Sequence, residues 1–154
     1  MTTETLIQQL RDTLVAASIT IGSISEMDKL GVVLRVSVAD VTTVMDALLQ
    51  SEELQFEQLI DTFGADVRGL IEVTYRLRSL GRNVDVLVKT ELPYGATLPS
   101  VWEVYPSALL PERELCEMFG LSLEGHPNPK RMLTTEGLPP FLRKEVLIRD
   151  QEAS

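Results

Sequence analysis

The stretch IEVTYRLRSLGRNVDVLVK, residues 71–89, alternates with a period of two. Ile71, Val73, Tyr75 and Leu77 fall on one side of an extended chain, and Glu72, Thr74, Arg76 and Arg78 on the other. A strand of this kind buries one face and leaves the other wet. "GRN" (81–83) supplies turn residues, and "VDVLVK" (84–89) returns as the hairpin partner. The hairpin places an antiparallel pair at the heart of the fold.

The flanking chain extends this reading. "FEQLIDTFG" (56–64) and "SITIGSI" (18–24) predict strands. So does "VVLRVSV" (32–38), which sets Val32, Leu34, Val36 and Val38 on one side, after a turn at "DKLG" (28–31). Thr2 or Thr3 caps a first helix, with Glu4 in its first turn and Leu6, Ile7, Leu10, Leu14 and Val15 on one face. Asp40 is placed to cap a second, whose stripe is Val41, Val44, Met45, Leu48 and Leu49. The expected class is α+β: a mixed, largely antiparallel sheet covered by helices on one face. There is no internal repeat and no low-complexity segment.

From Glu91 the character changes. "ELPYGATLPSVWEVYPSALLPERE" (91–114) holds four prolines and little alternation. "SVWE" (100–103) fits a capping box, which predicts a short helix from Val101. Pro111 suits the first turn of a further helix, and Glu112 and Glu114 complement its dipole. Glu112 and Arg113 also read as a solvated helix start. Leu115, Met118 and Phe119 form its apolar face, and Gly120 closes it as a left-handed cap. Beyond lie "EGHPNPKR" (124–131) and a Pro/Gly-rich tail without periodicity. Such a segment either lacks fixed structure alone or lies across another protein. The expected organisation is therefore a body, residues 1–124, and an extended C-terminal segment, residues 125–154.

Composition narrows the function. At 154 residues the chain suits one domain with a real core. Hydrophobic residues at 44% and charged residues at 24% match a soluble protein, and no apolar run approaches the roughly 20 residues of a membrane span. "MTTETLIQQLRDTL" lacks the basic start of a signal peptide. A lone cysteine excludes an internal disulfide framework and fits a reducing, cytoplasmic setting. The net charge of −9 is uneven: residues 1–124 carry −10 and residues 125–154 carry +1. An acidic body repels phosphates, which argues against nucleic acid; solubility is the plainer account of the acidity. The basic pairs Lys130–Arg131 and Arg143–Lys144 suit a polar contact surface.

Pro111–Pro139 gathers the only cysteine, the only histidine, four of eight prolines and three of nine glycines. Cys116 and His126 are the one conceivable nucleophile–base pair. No third orienting group and no glycine-rich oxyanion turn accompanies them, and a half-buried cysteine is ordinarily packing. One His and one Cys do not complete a zinc site, and calcium-loop spacing, phosphate-cradling glycine loops and iron–sulfur cysteine sets are all absent from the sequence. Trp102 reads as core or interface. No catalytic, cofactor or metal residue is expected, and the C-terminal third reads as a binding surface. A stand-alone enzyme using Cys116, or a regulatory module that binds a maturing partner transiently, stays open.

"PERELCEMFGLSLEGHPNPKRMLTTEG" resembles the signature of the 30-kilodalton (C-type) subunit family of respiratory complex I and its relatives. The family pattern runs from an E-R-E helix start through D/E-M-F/L-G, E-G-H-P, a basic pair and I/M-L-T to L-R-K-D. Here it is carried by Glu112–Arg113–Glu114, Glu117–Met118–Phe119–Gly120, Glu124–Gly125–His126–Pro127, Lys130–Arg131, Met132–Leu133–Thr134 and Leu142–Arg143–Lys144–Glu145. "LPSVWEVYPSALLPERE" and the 71–89 hairpin extend the likeness to about residues 56–145. There are departures. Asn128 and Pro129 stand where an acidic residue is usual, "LPPF" (138–141) replaces a second Gly-His-Pro, Glu145 replaces aspartate, and the chain ends soon after. Similar short versions occur in membrane-bound energy-converting [NiFe]-hydrogenases, formate hydrogenlyases and deazaflavin-coenzyme dehydrogenases.

The resemblance implies a subunit without cofactor or redox step of its own. It would sit in the hydrophilic arm of a complex-I-like oxidoreductase, hydrogenase-type first and quinone-linked as the alternative. Its partners would be the large catalytic or quinone-site subunit and neighbouring iron–sulfur subunits. It would be peripheral on the cytoplasmic side, touching the membrane only through the complex. The implied partner-binding residues are Glu112, Arg113, Phe119, Gly120, Gly125, His126, Pro127, Lys130, Arg131, Leu142, Arg143 and Lys144.

Overall fold

A computed structural model describes residues 2–27 and 31–127. The predicted hairpin is its centre. β4 (Leu70–Ser79) and β5 (Val84–Pro93) pair antiparallel over ten residues, with Tyr75 opposite Val88 and Arg78 opposite Asp85. β3 (Gln58–Val67) adds antiparallel to β4 through the two-residue turn Arg68–Gly69. On the other side β2 (Gly31–Arg35) pairs parallel with β5, and β1 (Ser23–Met27) pairs antiparallel with β2. The five-stranded order is β1-β2-β5-β4-β3. The sheet is mixed and largely antiparallel within an α+β fold, as expected; the parallel β2–β5 pair joins the β1–β2 hairpin to the β3–β4–β5 meander.

The alternation in residues 71–78 works as its chemistry requires. Ile71, Val73, Tyr75 and Leu77 are buried on one face with Val86 and Val88 of β5. Helices α1 (Thr3–Ala16) and α2 (Val41–Gln50) supply Leu6, Leu10 and Leu14, and Val41, Val44, Met45 and Leu48, to the same core. The opposite face carries paired charge. Glu72 accepts from Lys89 at 2.8 Å and Arg35 at 3.0 Å, and Asp85 accepts from Arg76 and Arg78. Long cationic side chains can cover apolar sheet surface with their aliphatic stems. Leu87, Val33 and Thr74, which belong to this face by register, are accordingly buried.

Two local expectations are corrected. Residues 18–22 are not strand: α1 unwinds there, with Ser18 at φ 61° and the Ile19 N–H donating to the Leu14 carbonyl, and β1 begins only at Ser23. The alternating Ile19 and Ile21 pack this linker onto the core instead. Asp40 stands before α2 but makes no side-chain cap, because a 3₁₀ turn (Val38–Asp40) leads the chain in and its own backbone bonds serve the entry. Thr2 does cap α1, accepting from the Thr5 N–H at 3.3 Å. The "DKLG" turn lies largely outside the described residues.

Glu72 gives a test of the charged face. Burial pushes its carboxyl up, but the hydrogen bonds and charges of Lys89 and Arg35 outweigh burial and hold it below its ordinary value. Its contribution is therefore full above the ordinary carboxylate range and disappears as pH falls through the lowered value. Glu72→Gln is expected to lower stability by about 1 kcal/mol at neutral pH, the modest figure reflecting the half-exposed Arg35. The difference should vanish in acid. Urea melts of both proteins across the acid range check it.

Candidate functional site

The signature begins on α3 (Leu109–Phe119). Pro111 occupies its first turn, where a missing N–H breaks no helical bond. Leu115 and Phe119 press onto β3 at Gly64. A Cβ there would stand 2.6 Å from Leu115 Cδ1 and 3.0 Å from Phe119 Cε2, so the helix approaches as closely as it does because Gly64 has none. Gly120 ends the helix at φ 69°, ψ 33°, a left-handed cap that glycine takes without strain. The chain then forms β7 (Ser122–Glu124), parallel to β6 (Thr97–Pro99).

Glu112 joins these pieces. It is fully buried, and its carboxylate accepts from the Ser100 hydroxyl at 2.5 Å and the Val101 N–H at 2.8 Å. Ser100 in turn accepts from the Trp102 N–H and donates its own N–H to the Glu124 carbonyl. Burial pushes Glu112 above its ordinary value, partly offset by the Ser100 and Val101 hydrogen bonds and the charge of His126. Tyr75 approaches from the sheet below. Its hydroxyl is buried without a hydrogen-bond partner, and burial, then Glu112 and Cys116, keep it protonated.

The exit of the signature is fixed by two side chains. Trp102 Nε1 donates to the Gly125 carbonyl at 2.7 Å. His126, buried, sets Nε2 2.7 Å from the Leu109 carbonyl, which makes Nε2 the protonated nitrogen. Pro127 beyond it is exposed.

Several expectations change here. No helix starts at Val101: residues 101–105 form a turn, with the Val104 and Tyr105 N–H groups both donating to the Val101 carbonyl. Ser100 was legible as a cap, yet its partner Glu112 lies twelve residues away rather than three. Glu112 is not a solvated helix start but a buried acceptor. Of the candidate partner residues, Glu112, Phe119 and His126 face the chain's own interior, Arg113 and Gly120 are half-buried, and Gly125 and Pro127 are exposed. Lys130, Arg131, Leu142, Arg143 and Lys144 lie outside the described residues. Sequence reasoning passed over Trp102 and Ser100 as partners of the signature. Their nearness to it in the chain was the available signal.

Cys116 is buried against the sheet, and burial, then the charge of Glu112, pushes its thiol up to about 12. At neutral pH it is a protonated thiol, the opposite of an activated nucleophile. Among the described residues no three His, Cys, Asp or Glu side chains converge as metal ligands would.

The sequence model of the respiratory-chain NADH dehydrogenase 30 kDa subunit matches residues 34–152. The chain belongs to this family. It is 36% identical over 107 residues to the C-type subunit of NADH-quinone oxidoreductase from Rickettsia bellii, covering 66% of this chain and 54% of that protein. It is 40% identical over 111 residues to the C/D-type subunit of NADH-quinone oxidoreductase from Azotobacter vinelandii, covering 63% of this chain and 18% of that one. It spans about half the length of the Rickettsia relatives it matches. The fold is shared with a chain in the structure of the membrane-bound sulfane sulfur reductase, an archaeal respiratory membrane complex. There the TM-score is 0.70 at 22% identity, over 87% of this chain and 78% of that one.

Glu112 is testable by pH. Because its folded-state value is raised, its contribution is most favourable below the ordinary carboxylate range and is lost as pH rises through the raised value. Glu112→Gln, which keeps an acceptor for the Val101 N–H, should flatten that decline. Glu112→Ala should cost about 2–3 kcal/mol by stranding the Ser100 and Val101 donors. Chemical denaturation of the three proteins from mildly acid to neutral pH measures both. For Cys116, alkylation by iodoacetamide should be slower than that of a free thiol; a fast, low-pH reaction would revive the stand-alone enzyme.

Proposed function

We propose that the chain is a non-catalytic structural subunit in the hydrophilic arm of a complex-I-like, membrane-bound oxidoreductase, packed against the large subunit of that complex on the cytoplasmic side. One observation carries the reading: the family match runs through residues 34–152, and so takes in both the folded signature and the segment after it. The site's chemistry supports it. The ionisable groups at its centre, Glu112, Tyr75 and Cys116, are desolvated, and Glu112 serves backbone and a neighbouring hydroxyl. Among the described residues no helix is long and apolar enough to cross a membrane, which suits a peripheral role.

The choice of partner is supported by the Azotobacter relative, whose name joins the C and D types and of which the similar region is 18%. A D-type large subunit is the natural neighbour of a chain of this family. In this reading, residues 1–124 form the body, and residues 125–154 leave it at the Trp102–His126 anchorage and lie along the large subunit. Gly125 and Pro127 stand at that point, held by His126 and Glu112, while Arg113, Phe119 and Gly120 lie along α3 and its C-terminal cap. Lys130, Arg131, Leu142, Arg143 and Lys144 give the segment its basic and apolar contacts. The prolines and glycines restrict it in advance, which lowers the entropy lost on docking.

Two branches of this architecture have an observation each. The departures at Asn128, Pro129 and "LPPF" favour the hydrogenase type. The identity to NADH-quinone oxidoreductase subunits favours the quinone-linked type. Affinity purification from solubilised native membranes, with mass spectrometry of the co-purifying chains, separates them. A large subunit bearing nickel-ligating cysteines selects the first, and one lacking them, among quinone-reductase partners, the second. Recovery of the chain alone overturns the proposal. Arg143→Ala should reduce the yield of assembled complex, and an unchanged yield would count against the role given to the basic segment.

A further inference from the structure

Among the described residues β3 is the last strand of the sheet and pairs with β4 alone. Along its ten residues the outer N–H and C=O groups have no strand beside them among the described residues. Edges of this length are ordinarily blunted by Lys, Pro, a bulge or brevity. β3 has a bulge near its start, between Leu59 and Asp61, but no Lys, Arg or Pro. Instead it exposes Ile60 and Phe63 at 45% each and Val67 at 36%, with Leu70 at 37% opposite Val67. Phe63, Ala65 and Val67 share the face away from the core. On the other side, α3 and β3 bound a groove of about 300 Å³ lined by Thr62, Leu115, Met118 and Phe119. The Thr62 hydroxyl is buried there without a hydrogen-bond partner.

We propose that the outer edge of β3 receives an extended, basic segment of a partner subunit as a sixth strand of the sheet. Charge selects this occupant. Residues 36–67 contain no Lys, Arg or His, while Glu52, Glu53, Glu57, Asp61 and Asp66 lie on β3 or the chain leading into it, and Glu114 stands exposed at the groove. A second copy paired edge to edge would bring these acids onto one another, with −9 on each chain. A basic strand meets them with opposite charge. An added strand gains main-chain hydrogen bonds from the edge, and its side chains alternate between the two faces. One set enters the groove beside Met118 and Phe119. The other lays Lys or Arg stems along Phe63 and Val67. The inference rests on the proposed function only in taking its partner from the same complex.

The test uses the full chain in its native membranes, with a photoreactive benzoylphenylalanine replacing Phe63, Met118 or, as control, the 68% exposed Val15 on α1. After irradiation, the cross-linked peptides are sequenced. The expected result is that Phe63 and Met118 capture one stretch of another subunit, basic in net charge, at positions an odd number of residues apart, and that Val15 does not. Asp61→Lys and Glu114→Lys should each lower that adduct roughly tenfold. Adducts to residues 128–154 of this chain, to a second copy or to a non-basic surface overturn the inference, as does a complex recovered intact without adduct. A chain recovered with no other subunit overturns the proposed function and this inference together; an intact complex without the adduct overturns only the latter.

Discussion

The structure depends on a ten-residue antiparallel register between β4 and β5. Because the side-chain period is two, that register decides at once which residues are dry. A slip of one position would carry Ile71, Val73, Tyr75 and Leu77 to the charged face and Glu72, Arg76 and Arg78 into the core. The ion pairs reinforce the choice. Arg78 lies directly opposite Asp85, and Glu72 reaches Lys89 on the neighbouring strand, so the wet face is satisfied in the same register that buries the dry one. β2 and β3 then add to the two sides, and α1, α2 and α3 have one apolar surface to cover.

This explains what was legible in the sequence. Elements whose pattern is local, such as the 71–89 hairpin and the Val41–Leu49 stripe, were visible because periodicity itself is the signal. The parallel pairing of β2 with β5 was not, since nothing within either strand names a partner some fifty residues away. Residues 18–24 misled because Ile19 and Ile21 alternate as a strand does, while the Ser18 backbone turns left-handed and uses those side chains to pin a linker. The site divides in the same way. Gly120 and Pro111 announced the ends of α3 through their own conformational preferences. Glu112 did not announce its burial: an acid in a first helical turn looks solvated until the distant Ser100–Val101 turn folds over it.

Glu112 shows how the signature can be polar and still structural. A buried carboxylate is tolerated only where hydrogen bonds replace water. Here the donors are the Ser100 hydroxyl and the Val101 N–H, both on a loop of several prolines and little regular structure. Glu112 therefore serves as the anchor of that loop on α3. Trp102, next along, reaches the Gly125 carbonyl, and His126 returns to the Leu109 carbonyl at the start of α3. The circuit closes on itself, and it holds Gly125 and His126 against the start of α3.

The centre of the body is desolvated. Tyr75 and Cys116 meet Glu112 inside the core, and desolvation keeps the phenol and the thiol protonated. What remains outside is geometry and charge: Gly125 and Pro127, positioned by two hydrogen bonds at one end of α3, and an acidic, partly apolar strand edge along which α3 packs. Both are set by the same helix. Gly64 lets α3 settle onto β3 through Leu115 and Phe119, while Glu112 and the Leu109 carbonyl hold the loop and the exit from the helix's other end. A shift of α3 would therefore move the two surfaces together.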